Sequence, residues 1–265
     1  MTELLLVELV ERNGIDIAVV TFNRPEQRNP IDKATIAALR ALLTEFSQPG
    51  GPRAVILTGS GDAFSAGGDL KGYQQLYRDP VAFRRFLEDY AAVGALLEKS
   101  QLLVVAMVNG TCVAGGLELA LTCDFVTISS TARIGDGHLR FAQLPGAGGS
   151  QRLVRAIGVQ RARHWLLTGR LFPASVAVEA GLALFASPPE QLRDDTLDLV
   201  AEVCATTPLG LSQMKALINI AQNSVIEDGL RAEFELVYRY ATESHDATEG
   251  LMAFGEHRPA RYLGR

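Results

Sequence analysis

The sequence predicts an α/β domain with a helical C-terminal part, and three observations carry that prediction. Short, wholly apolar segments alternate with amphipathic ones as far as Gly149. Gly-rich turns separate them, and beyond Gly149 the apolar residues recur almost entirely at helical spacing. The 265 residues suffice for one large domain or a domain with a small appendage. The expected division is a core over 1–198 and a helical region over 199–265.

The elements follow in order. Residues 4–22 hold patches of Val, Leu and Ile around Asn13-Gly14, the dipeptide that best signals a tight hairpin turn, so two strands open the fold. Asn29-Pro30 precedes a helix over 31–46, where Ile36, Leu39, Leu42, Leu43 and Phe46 share a face, and Pro49-Gly50-Gly51-Pro52 stops it. Residues 54–58 form a short strand of the kind buried on both faces. After a long polar insertion, 81–99 reads as a helix, 102–108 as a buried strand, 114–122 as a short helix and 125–128 as a strand. Helices are then expected over 150–157, 161–168, 174–180, 191–205, 209–223 and 226–243. His164 and Trp165 belong to one of these, as core or interface residues. The helical part either covers the core or mediates self-association.

Composition excludes several classes. Hydrophobic residues at 48% and charged residues at 21% are ordinary for a globular protein and unlike disordered, collagen-like or disulfide-scaffold chains. A net charge of −5 without a long run of one sign disfavours nucleic-acid and anionic-membrane binding, while leaving room for a local basic pocket. Cys112, Cys123 and Cys204 have no metal-like or CxxC spacing, so no metal and no disulfide is expected. The longest apolar run, 102–108, falls far short of the roughly 20 residues that span a bilayer. No basic region followed by an apolar stretch marks the N-terminus. The expectation is a soluble, cytoplasmic protein.

Two segments share one grammar of strand, small-residue turn and helix: Phe64-Ser65-Ala66-Gly67-Gly68-Asp69-Leu70, and the stretch from Asn109 through Gly115-Gly116-Leu117-Glu118. Small residues let a backbone approach a ligand closely, and amides at a helix N-terminus point outward with partial positive charge. Two such turns side by side can bind an oxyanion, and neither is a P-loop or dinucleotide fingerprint. Glu118 lies three residues after Gly115, on the same helix face. A carboxylate beside an oxyanion donor suits acid-base chemistry next to a carbonyl.

FSAGGDL at 64–70, VNGTCVAGGLELALTCD at 108–124 and LPGAGGSQRL at 144–153 together resemble the enoyl-CoA hydratase/isomerase, or crotonase, superfamily. The likeness runs from Asn23-Arg24-Pro25 to the segment 249–254. It implies a crotonase-like spiral of ββα units with a C-terminal helical trimerisation region, assembled as a homotrimer or homohexamer. It also implies an acyl-CoA substrate, with no cofactor beyond the coenzyme A that the substrate carries. By the same resemblance the amides of Gly68 and Gly115 polarise the thioester carbonyl and stabilise an enolate.

Family hydratases use two glutamates that share one water. The first maps onto Glu118; the second position, twenty residues later, holds His138, with PGAGG following in register. An imidazole can replace a carboxylate in proton transfer, because its ordinary pKa of about 6.5 lies near neutrality. Three readings stay open: hydration of a 2-enoyl-CoA, hydrolysis of a thioester or β-ketoacyl carbon-carbon bond by Glu118 and His138, and acyl-CoA binding without turnover. Asp136 is a reserve carboxylate, expected to cap or solvate the turn. On the CoA side the resemblance points to Ala66, Asp69, Leu70, Lys71 and Arg24, with the segment 256–261 as a basic tail that reaches a neighbour's CoA. Tyr73, Tyr77, Phe83 and Phe86 fall in the segment that walls the acyl pocket of similar proteins, and Leu144 and Pro145 are assigned to the same pocket. Aromatic side chains there favour a flat or cyclic acyl group.

Overall fold

Asn13 and Gly14 both take positive φ, 53° and 78°, and the hairpin they close joins β1 (Leu5–Arg12) to β2 (Ile15–Phe22). The computed structural model describes residues 3–265. Asp32 caps α1 (Lys33–Phe46) by accepting from the Thr35 amide at 2.9 Å. Next come β3 (Ala54–Gly59), the short β4 (Ala63–Ser65), α2 (Leu70–Leu76) and α3 (Pro80–Lys99). Asp79 caps α3, with Pro80 at its first position.

Strand β5 (Leu103–Val108), β6 (Thr111–Val113) and α4 (Gly115–Ala120) repeat that order, followed by β7 (Phe125–Ser129), β8 (Arg133–Gly135) and a 3₁₀ turn over His138–Phe141. Helices α5 (Gly149–Ile157) and α6 (Val159–Thr168), β9 (Leu171–Pro173), α7 (Ala174–Glu179), β10 (Phe185–Ser187) and α8 (Leu192–Cys204) complete the core. Residue 198, where the sequence reading divides the chain, lies inside α8.

The larger sheet has the order β1-β2-β3-β5-β7-β10, parallel except for the opening hairpin; the smaller has the order β4-β6-β8-β9, with only β9 antiparallel. After the opening hairpin, β3, β5 and β7 are each followed by a short strand of the other sheet and then by helical turns, which makes a spiral of ββα units. Every residue of β3 and β5 is buried. Alternate side chains serve two cores. Val55, Leu57, Val104 and Ala106 face the α1 and α3 side, whereas Ala54, Ile56, Leu103 and Val105 meet Leu192, Leu197 and Val200 of α8. Trp165 of α6 is buried and stacks on Phe172 at 4.3 Å.

The C-terminal helices α9 (Pro208–Asn223), α10 (Ile226–Glu243) and α11 (His245–Gly255) lean on this core through one buried joint. Lys215 pairs with Asp124 at 2.6 Å and donates to the Leu102 carbonyl at 2.5 Å. The last residues fold back on their own chain: Arg258 binds Glu249 at 2.6 Å, and the amides of Leu263 and Gly264 donate to Asp246 at 2.7 and 3.0 Å. Within the segment 256–261, Arg258 and the Arg261 amide bind Glu249 of α11. Among the described residues no helix is long and apolar enough to cross a membrane.

Candidate active site

The spiral sets the two Gly-rich turns against each other. Gly67 has φ +88°, and a Cβ on it would stand 2.8 Å from the Ala114 Cβ and 3.0 Å from the Gly115 nitrogen. A Cβ on Gly116 would meet the Ser65 carbonyl oxygen at 2.6 Å. Only glycine permits this approach, which sets the turn that carries Gly68 against the turn that carries Gly115. Ala114, the residue before α4, holds φ 53° and ψ −120°, a conformation an L-residue adopts only under constraint. The constraint is visible: its amide donates to the Asp136 carbonyl at 2.9 Å, and the next carbonyl, of Gly115, accepts from the Tyr90 hydroxyl at 2.5 Å.

Glu118 sits in the first turn of α4 and is 3% exposed. Its Oε1 accepts from the amides of Ala147 and Gly149 at 2.7 and 2.9 Å. Its Oε2 faces His138 Nε2 at 3.7 Å, too far for a direct hydrogen bond, so both atoms keep a direction open to a third partner. Burial drives the carboxyl pKa above the ordinary range against those two amide bonds and the nearby imidazole. On the far side of the ring, His138 Nδ1 lies 2.9 Å from Oδ1 of Asp136, whose Oδ2 accepts from the His138 amide at 3.2 Å. Burial works to lower the imidazole pKa; the bond and charge of Asp136, with the charge of Glu118, outweigh it and leave the pKa raised. Asp136 caps the turn, as one of the two sequence expectations had it, and is also buried and bonded to the ring.

Glu118 and His138 open into a cleft of about 550 Å³. Tyr73, Tyr77, Phe83 and Phe86 form one wall: Tyr73 and Tyr77 stack at 5.8 Å, and Phe83 meets Tyr77 edge-on at 4.9 Å. Leu144 and Pro145 also line the cleft, and the Tyr77 hydroxyl donates to Gln143. The Tyr73 hydroxyl stands 2.1 Å from where a Gly68 Cβ would be. Burial, followed by the charge of Glu118, pushes the Tyr73 phenol up to about 12. Tyr90 and Gln143 escaped the sequence reading. Tyr90 was legible as the residue four beyond Phe86 on one helix face.

A second cleft, about 1020 Å³, lies on the other side of the Gly68 turn and is lined by Ala66, Gly68, Asp69 and Leu70 together with Arg28 and Arg140. Arg24 is not part of it. Its guanidinium is consumed internally, by Asp32, the Pro30 carbonyl and the Thr35 hydroxyl, each at 2.6 Å. Arg28 and Arg140 are the cations that line the cleft, and neither was singled out from sequence. Lys71 belongs to α2, but its side chain lies outside the described ones. Among the described residues no group of three or more His, Cys, Asp or Glu is arranged to hold a metal ion.

Comparison with known proteins agrees with this geometry. The family described as enoyl-CoA hydratase/isomerase matches residues 12–265. The protein YngF of Bacillus subtilis (strain 168) is 36% identical over 252 residues, covering 94% of this chain and 95% of its own. A Rhizobium meliloti (strain 1021) protein named a probable enoyl-CoA hydratase is 33% identical over 264 residues, 99% of each chain. The crystal structure of an enoyl-CoA hydratase from Bacillus anthracis superposes with a TM-score of 0.90 at 31% identity, covering 99% of this chain and 100% of that one.

Proposed function

We propose that this chain, which belongs to the enoyl-CoA hydratase/isomerase family, hydrates a 2-enoyl-CoA to the 3-hydroxyacyl-CoA, with Glu118 and His138 carrying the protons. The observation that supports this reading best is the division of labour on Glu118. One oxygen is held by two backbone amides, and the other faces the imidazole beside the paired turns.

In this reading the ionised Glu118 takes a proton from water as the water oxygen bonds to the β-carbon. The electron pair of the double bond moves onto the thioester oxygen, where the amides of Gly68 and Gly115 receive it. Those bonds strengthen only as charge develops, which is why they accelerate the step; removing one such donor typically costs about 10²–10³ in rate. The imidazolium Nε2–H then protonates the α-carbon. A proton relayed from Glu118 to His138 through a water that bridges their 3.7 Å separation restores the starting state.

The acyl group lies against Tyr73, Tyr77 and Phe86, and the nucleotide lies in the second cleft near Arg28 and Arg140. Exposed apolar side chains on the C-terminal helices, Met214, Ile218, Leu230 and Phe234 among them, support packing as a homotrimer or hexamer.

The test is the loss of enoyl-thioester absorbance over straight-chain, branched, aromatic and cyclic 2-enoyl-CoAs, for wild type, Glu118→Gln, His138→Ala and His138→Glu. Hydration abolished by Glu118→Gln and retained or raised by His138→Glu is the expected result. Free thiol, or a cleaved β-ketoacyl chain, without absorbance loss would replace this reading with hydrolysis. Tight binding without turnover of any substrate would replace it with a binding role.

A further inference from the structure

Asp136 has no part in the proton transfers above, yet it is the best-fixed partner of the ring that does. It lies in the turn between β8 and the 3₁₀ segment and is 1% exposed. Its carbonyl accepts from Ala114, its Oδ2 from the His138 amide, and its Oδ1 meets Nδ1 of the same residue at 2.9 Å. One residue therefore binds the second Gly-rich turn, the backbone of His138 and the ring of His138.

We propose that Asp136 is a positioning residue that holds the His138 imidazole with its proton on Nδ1, so that only Nε2 faces Glu118 and the acyl cleft. A carboxylate accepts and never donates when ionised, so the nitrogen beside it must carry the proton in either ring state. The neutral ring then offers a lone pair at Nε2, and the charged ring offers Nε2–H. Both are needed by a group that gives a proton to carbon and recovers it from Glu118. The kinetic consequence rests on the hydratase reading; the ring geometry does not.

The ionisable groups that face the ring come from two elements, Asp136 from its own turn and Glu118 from α4. The charge of Glu118 acts in turn on Tyr73 of α2 and Tyr90 of α3, and Arg140 packs its stem at Gly169. The imidazole thus lies between two carboxylates, only one of which can exchange protons with substrate.

The experiment is ¹⁵N NMR of the ring nitrogens across pH, with His138 assigned among the four histidines by its loss in His138→Gln. In wild type the neutral ring is expected to carry its proton on Nδ1. In Asp136→Asn, nearly the same shape, the carboxamide can donate to Nδ1, so the proton moves to Nε2 and the ring titrates at lower pH. With a turned-over enoyl-CoA, kcat should fall roughly 10²-fold while KM changes less than about twofold, and the alkaline limb of the rate profile should move to lower pH. A wild-type ring protonated on Nε2 overturns the proposal, as does a tautomer and midpoint unchanged in Asp136→Asn. A purely structural role for Asp136 would lower melting temperature and leave the titration in place. If Asp136→Asn fails to fold, the wild-type tautomer still decides. If no substrate is hydrated, the ring measurement stands and only the function assigned to the site falls.

Discussion

The two sides of the acyl cleft are built by different means. The side bearing Glu118 and His138 is fixed by backbone. Two amides hold one oxygen of Glu118, glycines at 67, 115 and 116 let the turns touch, and Ala114 is kept in a costly conformation by the groups around it. The aromatic side is fixed by side chains, through ring contacts among Tyr73 of α2, Tyr77 in the turn after it, and Phe83 and Phe86 of α3, and Tyr77 is 44% exposed. Backbone geometry tolerates almost no displacement, whereas ring packing can be re-cut without moving the main chain. Under the proposed reaction, the contrast separates the side that holds the proton-transfer groups from the side that sets the shape of the acyl pocket.

Substitution on each side would break or sharpen that contrast. Glu118→Gln keeps the shape and removes the base, so kcat should fall by about 10²–10⁴ with little change in KM, as read from steady-state hydration of an enoyl-CoA. Gly149→Ala should follow. A Cβ there would lie 2.9 Å from Glu118 Cγ and 3.2 Å from Oε1. Displacing the carboxylate by even part of an ångström should cost up to about 10² in kcat.

The pH profile tests the same side without a mutation. Glu118 must be ionised to act and its pKa is raised by burial, so activity should be lost on acidification while the pH is still above the ordinary value of 4.5. Survival of full activity down to that value would mean the carboxyl is better hydrated than its burial implies. The smallest effect belongs to the aromatic side. Tyr77→Phe removes the hydroxyl that reaches Gln143, and at about 0.5–1.5 kcal/mol for one hydrogen bond KM should rise no more than about tenfold. The ranking of acyl groups should change more than kcat does, measured across the same thioester panel.

The same division governs how much could be read in advance. Strands β3 and β5 were legible because parallel strands buried on both faces are wholly apolar, and the hairpin because Asn13-Gly14 leaves few alternatives. The three-residue strands β4, β6, β8, β9 and β10 went unread, since three residues hold no period. Helix α2 was absorbed into a polar insertion and α11 into the tail. Glu118 was found through its place three residues after Gly115, and His138 through the family resemblance, which sets the second acid-base position twenty residues later; both line one cleft. Arg24 was assigned to the nucleotide through the family resemblance, and the sequence carries no sign of the Asp32, Pro30 and Thr35 groups that its guanidinium binds. Asp136 was read as a reserve carboxylate at a turn, and its bond to the ring went unread, because an aspartate near a glycine looks the same in sequence whether it only caps a turn or also holds a ring.

The paired amide bonds on Glu118 give the protein an internal reporter. Ala147 and Gly149 donate to the same oxygen, and Gly149 begins α5, so that the positive end of a helix is aimed at the carboxylate. When the carboxyl takes up a proton, both bonds lose their ionic character together. Two main-chain resonances, at residues 147 and 149, should therefore shift in concert through one titration. They would allow the charge of a buried acid to be followed by spectroscopy in the resting protein, with no substrate added and no atom of the acid itself labelled.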